Sequence, residues 1–526
     1  MWDKIIGVIA EVNSFVNGLV WGWPMIVLIL GTGILLTVLT KALQVRKFGT
    51  TWKETIVATL KGSKKKKGAS EKENSVSPFE AFATAISGTV GTGNIVGVTS
   101  AIMTGGPGAV FWMWVSAFFG MITNYAENVL GMYFRKKEHN GDFSGGPAYY
   151  LSEGLSGFAK GKWKAFFKTF GKILGVAAAV FCTFAAIGMS GVQTNKISAT
   201  FQSALGGDPQ VIAIVVGVIV AAVLGLIVLG GIKSIGRVAS FLVPFMSLLF
   251  ILMSLAVIVA NVTMVGTAFA LIFKNMFSFQ AAVGGVTGFA FSQIIQKGLA
   301  RGVFSNEAGL GSSVIAYSAS ETCEPVKQGL WGVFGVFFDT FVICTLTALV
   351  VLVSFGDSVG MTTVLYAPGS VDTTVAMNAF EGVFGGFGTA VYSVILPLFA
   401  FTTILAWSYY GEKSVDYLFR KTGERGRKIA TSVFKVAYVL LVIVSAVIDG
   451  ELAWAISDTF NGLMALPNLI GLVLMSGLVV KITKNYFDRK KGVDVKPLLS
   501  AYLEQNDEFI AELAAENEAE ESSDAE

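Results

Sequence analysis

The chain has 526 residues, of which 53% are hydrophobic and only 14% are charged, and its net charge is +3. A soluble globular protein carries about 25% charged residues. The composition therefore predicts an all-α polytopic membrane protein and excludes a disordered chain, a secreted disulfide scaffold and a collagen. The net charge indicates no partner, because the charges are segregated along the chain.

Cysteine and histidine are too few and too scattered for a metal centre or a catalytic triad. Cys182, Cys323 and Cys344 form no Cys-x-x-Cys pair, and the single histidine, His139, lies in a charged loop. We expect structural or incidental roles for all four residues.

Eleven segments of the chain are apolar enough to cross a bilayer, which takes about 20 residues of helix. A short amphipathic helix at the membrane interface is predicted ahead of them, at residues 3–18. The eleven segments are approximately 21–41, 78–103, 109–134, 173–195, 211–230, 238–261, 281–318, 330–354, 387–410, 430–448 and 453–480.

The basic residues predict the orientation of these spans. Of the 39 Lys and Arg residues, 36 fall on one side of the membrane, in loops 41–76, 135–172, 230–237, 297–328 and 411–435 and in the segment after 480. Basic loops stay in the cytoplasm. We therefore expect a multi-pass protein of the plasma (inner) membrane with its N-terminus outside. Residues 504–526 carry ten acids and no base, which predicts a disordered or helical cytoplasmic tail that keeps the chain soluble rather than regulating it.

Two of the spans are predicted to be broken. Residues 87–94 read SGTVGTGN, and the three glycines together with Thr89, Thr92 and Asn94 indicate unwound backbone near the bilayer midplane. The alternative is small-residue packing between helices. The seventh span is too long for one straight crossing, and its polar stretch predicts a second break between Gln293 and Gly302.

The two broken spans divide the chain into two sets of five spans. We assign residues 1–76 to an N-terminal interfacial helix, an extra span and a basic loop, and 483–526 to the acidic tail. Residues 77–262 form a first repeat (helices 2–6) and 263–482 a second (helices 7–11). Sets with an odd number of spans lie in opposite orientations, which is typical of an inverted-repeat transporter.

The first break offers groups for an anion and for a cation. The amides of residues 91–94 could hold a carboxylate, and the carbonyls of Ser87 and Val90 could face a small cation. In span 9, the Phe399 carbonyl shares a helix face with the hydroxyls of Thr402 and Thr403. These five oxygens predict an alkali-ion site; the alternative is that the threonines bond back to their own helix.

Other polar residues inside the spans are candidates for function or structure. For Asp339 and Asp458 we favour hydrogen bonds to neighbouring helices over a proton relay, and for Glu127 and Glu80 we expect nearby basic partners. Arg301 and Glu307 are predicted to form an ion pair, either gating or static. In span 4, Gln193 and Asn195 either reach the cavity or cap the outer end of the helix.

Five stretches of the chain resemble the alanine or glycine:cation symporter family. The matches run in order over most of the chain, and only the GPAYY at residues 146–150 departs from the family's GPMYY. The stretches are TVGTGNI at 89–95, GGPGAVFWMW at 105–114, RGVFSNEAG at 301–309, WSYYGE at 407–412 and LMALPNL at 463–469.

The resemblance implies an eleven-span secondary transporter with a LeuT-type core, whose substrates are alanine, glycine or close relatives. It places substrate contacts on Thr89, Gly91, Thr92, Gly93, Gln193 and Trp407, with Leu299 near the second break. By analogy with the LeuT-type sodium site, it assigns Na⁺ to Ser87, Val90, Phe399, Thr402 and Thr403.

The function predicted from these observations is a sodium-coupled symporter that imports a small neutral amino acid by alternating access. The alternatives are a proton-coupled amino-acid transporter and a non-transporting nutrient sensor that uses the same pocket. An enzyme is not expected, because the sequence contains no phosphate-binding loop and no HExxH. The expected partners are the amino acid, Na⁺ and the lipid bilayer, without an organic cofactor or nucleic acid.

Overall fold

The computed structural model describes residues 2–62, 76–138, 142–157, 161–277, 291–448 and 450–525, and they are almost entirely helical. The strands among them are β1 (Lys136–Lys137) and β2 (Phe143–Ser144), which form one antiparallel pair. Helices satisfy their own backbone polar groups, as lipid requires. The all-α membrane architecture is confirmed. His139 and the four lysines at residues 64–67 of the basic loop 41–76 lie outside the described residues.

The N-terminal region is a bent pair of helices followed by short turns. α1 (Trp2–Val20) meets α2 (Trp23–Leu39) at an angle of 41°. Asn17 donates a hydrogen bond to the Thr459 hydroxyl (3.1 Å), and Trp21 donates to the Asp458 carbonyl (3.0 Å). The pair therefore lies against the last span. Next come α3 (Leu43–Arg46), α4 (Phe48–Trp52), a π-helical turn (Lys53–Val57) and α5 (Ala58–Gly62).

The next group of helices starts at a capping box. Ser77 accepts a hydrogen bond from the Glu80 amide, while the Glu80 carboxylate accepts one from the Ser77 amide. The Glu80 carboxylate is therefore held by the backbone rather than by the basic partner predicted for it. The group is α6 (Pro78–Thr89), a π-helical turn (Gly93–Gly97), α7 (Val98–Gly105), α8 (Ala109–Tyr133), α9 (Pro147–Gly154), a 3₁₀ turn (Leu155–Gly157), α10 (Trp163–Leu205), α11 (Pro209–Val228), α12 (Gly231–Ala260) and α13 (Val262–Lys274).

The second half of the chain contains a further set of spans and the acidic tail, which is helical. The elements are α14 (Phe291–Asn306), α15 (Val314–Tyr317), α16 (Pro325–Val336), a π-helical segment (Phe337–Cys344), α17 (Thr345–Phe355), α18 (Ser358–Gly360), a π-helical turn (Met361–Leu365), α19 (Asp372–Phe384), α20 (Gly386–Leu418), α21 (Gly423–Ser445), α22 (Gly450–Arg489) and α23 (Leu503–Ala525).

The described residues contain eight helices long and apolar enough to cross a membrane, and two bent pairs raise that number to ten. The eleventh predicted span, 281–318, overlaps residues 278–290, which lie outside the described part of the chain. The count of eleven, the repeat and the domain boundaries therefore stay predictions. α10 packs along α20 and α22, and α8 packs against α14 and α16, so the broken helices lie inside the bundle.

The second break lies further along the chain than predicted. α14 continues as a regular helix from Phe291 to Asn306, so the predicted break between Gln293 and Gly302 is wrong. The backbone leaves the helix at residues 307–313, where Glu307, Gly309 and Gly311 have φ values of 55°, 93° and 78°. Left-handed conformations of this kind end a helix, and glycine adopts them without strain.

The basic loops converge on one end of the bundle, which we call the basic end. Ion pairs join Lys490 to Glu54, Arg489 to Glu324 (2.6 Å) and Arg427 to Glu138 (3.1 Å) there. The opposite end holds Lys196 paired with Asp372 (2.8 Å). Lys297 and Arg301 lie on this opposite side of the second break, rather than in the basic loop predicted at 297–328. The asymmetry of charge that predicts a cytoplasmic basic end remains large without them.

Candidate functional site

The first break forms where α6 gives way to the turn before α7. Val90 leaves the helix with φ −81° and ψ 87°, and the two half-helices are bent by 47°. The Gly91 amide, freed from the helix, donates to Asn94 Oδ1 (2.8 Å). The predicted broken second span is confirmed, and its backbone groups are buried by neighbouring helices rather than by lipid.

The predicted alkali-ion ligands meet at the carboxyl end of α6. The Thr403 hydroxyl lies 3.0 Å from the Ser87 carbonyl oxygen and 3.1 Å from the Phe399 carbonyl oxygen. The Thr402 hydroxyl lies 3.0 Å from the same Phe399 oxygen. All four residues are completely buried. Both threonines thus bond back to their own helix, as the alternative expected, but Thr403 also crosses to the broken one.

These oxygens fit a sodium ion chemically. Hard cations prefer oxygen ligands, and a carbonyl or hydroxyl oxygen retains a lone pair after one hydrogen bond. Val90, the fifth predicted ligand, is the residue at which α6 ends, where carbonyls lack helical partners. In the described part of the chain, no three His, Cys, Asp or Glu residues group as a metal site. Any ion held here would therefore be bound mainly by neutral oxygens.

The amide side of the break faces α10. The Thr92 amide donates to Gln193 Oε1 (3.2 Å). Gln193 therefore reaches the break, which is one of the two predictions for this residue. Asn195 instead donates to the Ile448 carbonyl (2.8 Å). The Thr92 hydroxyl is fully buried and has no hydrogen-bond partner within the described structure. A buried hydroxyl left unpaired is costly, and a polar ligand would relieve that cost.

An aromatic pair covers the break on the side away from the basic end. A Cβ atom placed on Gly93 would lie 3.2 Å from the Phe304 ring, which stacks on Trp454 with centroids 5.1 Å apart. Arg301 lies over Trp454 (4.7 Å) and pairs with Asp458 (3.2 Å). The predicted Arg301–Glu307 pair is therefore wrong. Asp458 accepts a hydrogen bond from Arg301 on the neighbouring helix α14 (3.3 Å), as predicted, and this partner is charged.

The structure places Trp407 and Leu299, two of the predicted substrate contacts, in different surroundings. Trp407 is fully buried and donates to Glu307 Oε1 (3.0 Å), so it contacts the second break. Leu299 packs with Ile26 and Ile295 in a separate apolar cluster. Leu299 is not beside the second break, because that break begins only at Glu307. The remaining predicted contact, Thr89, has its hydroxyl bonded to the Ile86 carbonyl (3.1 Å).

A buried acid holds the second break, but not with the basic partner expected for it. Glu127 is fully buried and accepts hydrogen bonds from the Gly309 amide (3.0 Å), from Asn124 (3.2 Å) and from Asn468. Asn468 also donates to the Gly309 carbonyl (2.8 Å). The side-chain amides therefore replace the helical partners that the break removes.

A second buried acid joins the two broken helices, through partners that cannot be identified from the sequence alone. Asp339 accepts hydrogen bonds from Asn94 (2.6 Å), which follows the first break, and from Ser305 (2.9 Å), which precedes the second. Thr340 supplies a third donor (2.8 Å). Asp339 lies in the π-helical segment of its span, and such segments are frequent at functional sites. Hydrogen bonding to neighbouring helices, as predicted, is confirmed for Asp339.

We expect Asp339→Asn to reduce sodium-driven uptake by about tenfold or more, because each unmatched buried donor costs about 1–3 kcal/mol. The three neighbours of Asp339 all donate hydrogen bonds, and asparagine replaces one acceptor oxygen with a fourth donor. Uptake in reconstituted vesicles and the melting temperature of the purified protein measure the effect. Asp494→Asn, at an exposed position, is the matched control. Normal uptake by the Asp339 variant would contradict the bridging role.

Two interrupted helices that meet inside a helix bundle, with carbonyls at one break and amides beside them, define a secondary transporter. The chain belongs to the sodium:alanine symporter family, whose model matches residues 6–498. It is a multi-pass membrane transporter rather than an enzyme, and it couples amino-acid transport to sodium.

The relatives and solved structures agree on this class. The sodium/alanine symporter AgcS of Methanococcus maripaludis is 41% identical over 489 residues, covering 92% of this chain and 98% of that protein. The probable sodium/glutamine symporter GlnT of Bacillus subtilis is 35% identical, covering 92% of each. MhsT, solved in complex with L-phenylalanine, shares the LeuT-type fold at a TM-score of 0.51 and 14% identity, covering 79% of this chain and 99% of MhsT.

Proposed function

We propose that this protein imports a small neutral amino acid, alanine or glycine, together with Na⁺ by alternating access. The observation that carries the proposal is the contact of Thr403 with the Ser87 carbonyl at the first break. It places a hydroxyl of α20 beside the carbonyl end of α6, next to freed amides on the other side of the same turn. Carbonyl oxygens that can bind a cation and amides that can bind a carboxylate thus lie within one turn of backbone.

The close packing around the break favours a small substrate. Glycine at 91 lets Thr403 approach the unwound backbone, because a Cβ atom on Gly91 would lie 2.3 Å from Thr403 Oγ1. Phe304 and Trp454 close the site toward one end, and the Trp407–Glu307 contact lies at the second break. We propose that the unpaired Thr92 hydroxyl and Gln193 orient the substrate, and that the amides of residues 91–94 bind its carboxylate. Leu299 is the least supported of the proposed substrate contacts.

The name of AgcS supports alanine, whereas GlnT is named for glutamine, so the family spans more than one side-chain size. A further relative, YrbD of Bacillus subtilis, is named as a putative sodium/proton-dependent alanine carrier. We retain Na⁺ as the proposed coupling ion, because the ligand set consists of neutral oxygens that cannot carry a proton at neutral pH. The basic end is proposed to face the cytoplasm, with the N-terminus outside.

Uptake into proteoliposomes tests the proposal. Labelled alanine should accumulate when a sodium gradient points inward, and accumulation should disappear when Na⁺ is equal on both sides. Equal accumulation in both conditions would remove the sodium coupling, and accumulation driven only by a pH gradient would establish the proton-coupled alternative. Saturable binding of alanine without counterflow of labelled substrate would establish the sensor.

A further inference from the structure

The acidic C-terminal helix lies beyond the region shared with the family, yet it packs on the bundle. The family model ends at residue 498, and α23 begins at Leu503. Its first three turns form an amphipathic pattern in which Asn506 and Phe509 are buried, while Asp507 and Glu508 face outward. A solubilising tail would have no reason to bury an aromatic ring. The pattern therefore indicates a specific docking contact.

The start of α23 is held by its own connecting segment. Asn506 Oδ1 accepts hydrogen bonds from the amides of Leu499 (2.8 Å) and Ser500 (3.0 Å), so the chain folds back before the helix begins. The Ala501 amide donates to the Tyr133 carbonyl at the end of α8 (2.9 Å). These bonds fix the direction in which α23 leaves the bundle.

The docking surface is built around a buried arginine. Arg135 is fully buried just after α8, and its guanidinium lies 3.8 Å from the centre of the Phe143 ring and 5.3 Å from that of Phe509. Phe509 also packs with Phe143, Cys323 and Leu499 in one apolar cluster. Two aromatic faces offset part of the hydration that the buried guanidinium loses.

The same arginine holds the segment that follows the second broken helix. Arg135 donates to the carbonyls of Ser318 (3.2 Å), Ser320 and Thr322 (2.7 Å), all within residues 318–324. This segment joins α15 to α16. Burial lowers the pKa of Arg135 to about 10, so the side chain keeps its charge at neutral pH.

α23 contacts this segment and its surroundings directly. Cys323 donates to Glu512 Oε2 (2.9 Å), and Gln505 donates to the Arg135 carbonyl (3.2 Å). Lys137 on β1 forms an ion pair with Glu508. The tail therefore touches both the β1–β2 hairpin and the 318–324 segment.

The 318–324 segment also reaches the start of the first broken helix. The Glu321 amide donates to the Val76 carbonyl (2.8 Å), and Val76 pairs with Ser320 in an isolated β-bridge. Val76 is two residues ahead of α6. One short segment thus links the basic-end half-helix of the first break to α15 of the second, and α23 packs beneath it.

We propose that α23 is a latch that holds the basic end of the transporter closed when it is docked on Arg135, Phe143 and Cys323. The inference rests on the proposed alternating access, in which the half-helices at one end must separate to release substrate. A docked tail adds contacts made only in the closed arrangement, and it shifts the equilibrium toward that arrangement. Release of the tail frees the 318–324 segment and with it both half-helices.

Two buried cysteines report docking and opening separately. Cys323 lies under α23, whereas Cys182 lines a small cavity between α10 and the second break, with Pro147, Gly311 and Tyr417. Both are buried in the structure with α23 docked. Thiol labelling in the full-length protein, read at each cysteine by peptide mass spectrometry, needs no substrate and no sodium. It therefore tests the latch independently of the proposed transport.

The experiment compares the full chain with a chain lacking residues 503–526 and with Phe509→Ala. Leu503→Ala is the matched control, because Leu503 is on the same helix but 78% exposed. We expect both test variants to label Cys323 and Cys182 about tenfold faster or more, as loss of a buried phenylalanine predicts. The control should match the full chain.

The outcomes separate the steps of the proposal. Equal labelling of Cys323 in all chains would show that α23 does not dock and would overturn the latch. Faster labelling of Cys323 with unchanged Cys182 would show docking without gating and would also overturn it. If the truncated chain aggregates on size-exclusion chromatography, Phe509→Ala decides the question. Failure of alanine uptake alongside faster labelling at both cysteines would refute the proposed function while leaving the latch intact.

Discussion

Thr403→Val should raise the Na⁺ concentration needed for half-maximal uptake by about tenfold or more, since a hydrogen-bonding group to a charge is worth about 1.5–3 kcal/mol. Valine keeps the shape of threonine but removes the oxygen that lies 3.0 Å from the Ser87 carbonyl and 3.1 Å from the Phe399 carbonyl. The ion would lose a ligand, and α20 would lose its polar contact with the broken helix. Uptake of labelled alanine as a function of external Na⁺ measures the change.

The controls separate loss of a ligand from loss of packing. Thr403→Ser retains the oxygen and should keep most of the wild-type Na⁺ response. Thr347→Val removes an equally buried hydroxyl whose bond is to its own helix, at the Ile343 carbonyl (3.2 Å), and it should leave the Na⁺ response unchanged. An unaltered Na⁺ response in Thr403→Val would show that the ion binds elsewhere, whatever happens to the rate of uptake.

The first break could be predicted from sequence because its signal is local. Glycines, hydroxyl side chains and Asn94 within eight residues leave a helix with poor propensity and with groups that can satisfy the unwound backbone. The two threonines of α20 could also be predicted as ligands, because residues three and four positions after Phe399 share its helix face. The contact of Thr403 with Ser87 joins residues 316 positions apart, and it can be predicted only by analogy with a known fold.

Polar side chains predict the second break in the wrong place, because they do not by themselves indicate unwinding. Lys297 and Arg301 sit in regular helix, and Arg301 is compensated by Asp458 on α22, a partner 157 positions away. The informative signal was the pair of glycines at 309 and 311, which adopt left-handed conformations. The partners of Asp339 and the docking of α23 depend on contacts between distant segments, which one sequence does not encode visibly.

Gly91→Val should abolish measurable alanine uptake, a loss of about a hundredfold or more, because overpacking a buried site costs about 1–3 kcal/mol even before the substrate is displaced. A Cβ atom alone would lie 2.3 Å from Thr403 Oγ1 and 3.3 Å from Gln193 Nε2, and valine adds two further methyl groups. Gly93 is less tightly enclosed than Gly91, since its nearest neighbour is the Phe304 ring at 3.2 Å. Alanine binding by the purified protein and uptake in vesicles measure the effect.

The reason for the loss can be isolated with a double-mutant cycle. Gly91→Ala should lower the melting temperature of the protein, and adding Thr403→Ala should restore much of it by removing the atom that the new methyl group meets. The Na⁺ concentration needed for half-maximal uptake should be raised in the double variant, because the missing hydroxyl is a ligand as well as an obstacle. Gly477→Ala, with no neighbouring atom within 4 Å of its Cβ position, should leave both properties unchanged. Additive effects of the two substitutions would show that Gly91 and Thr403 do not share one site, and the break would then bind its substrate without the ion beside it.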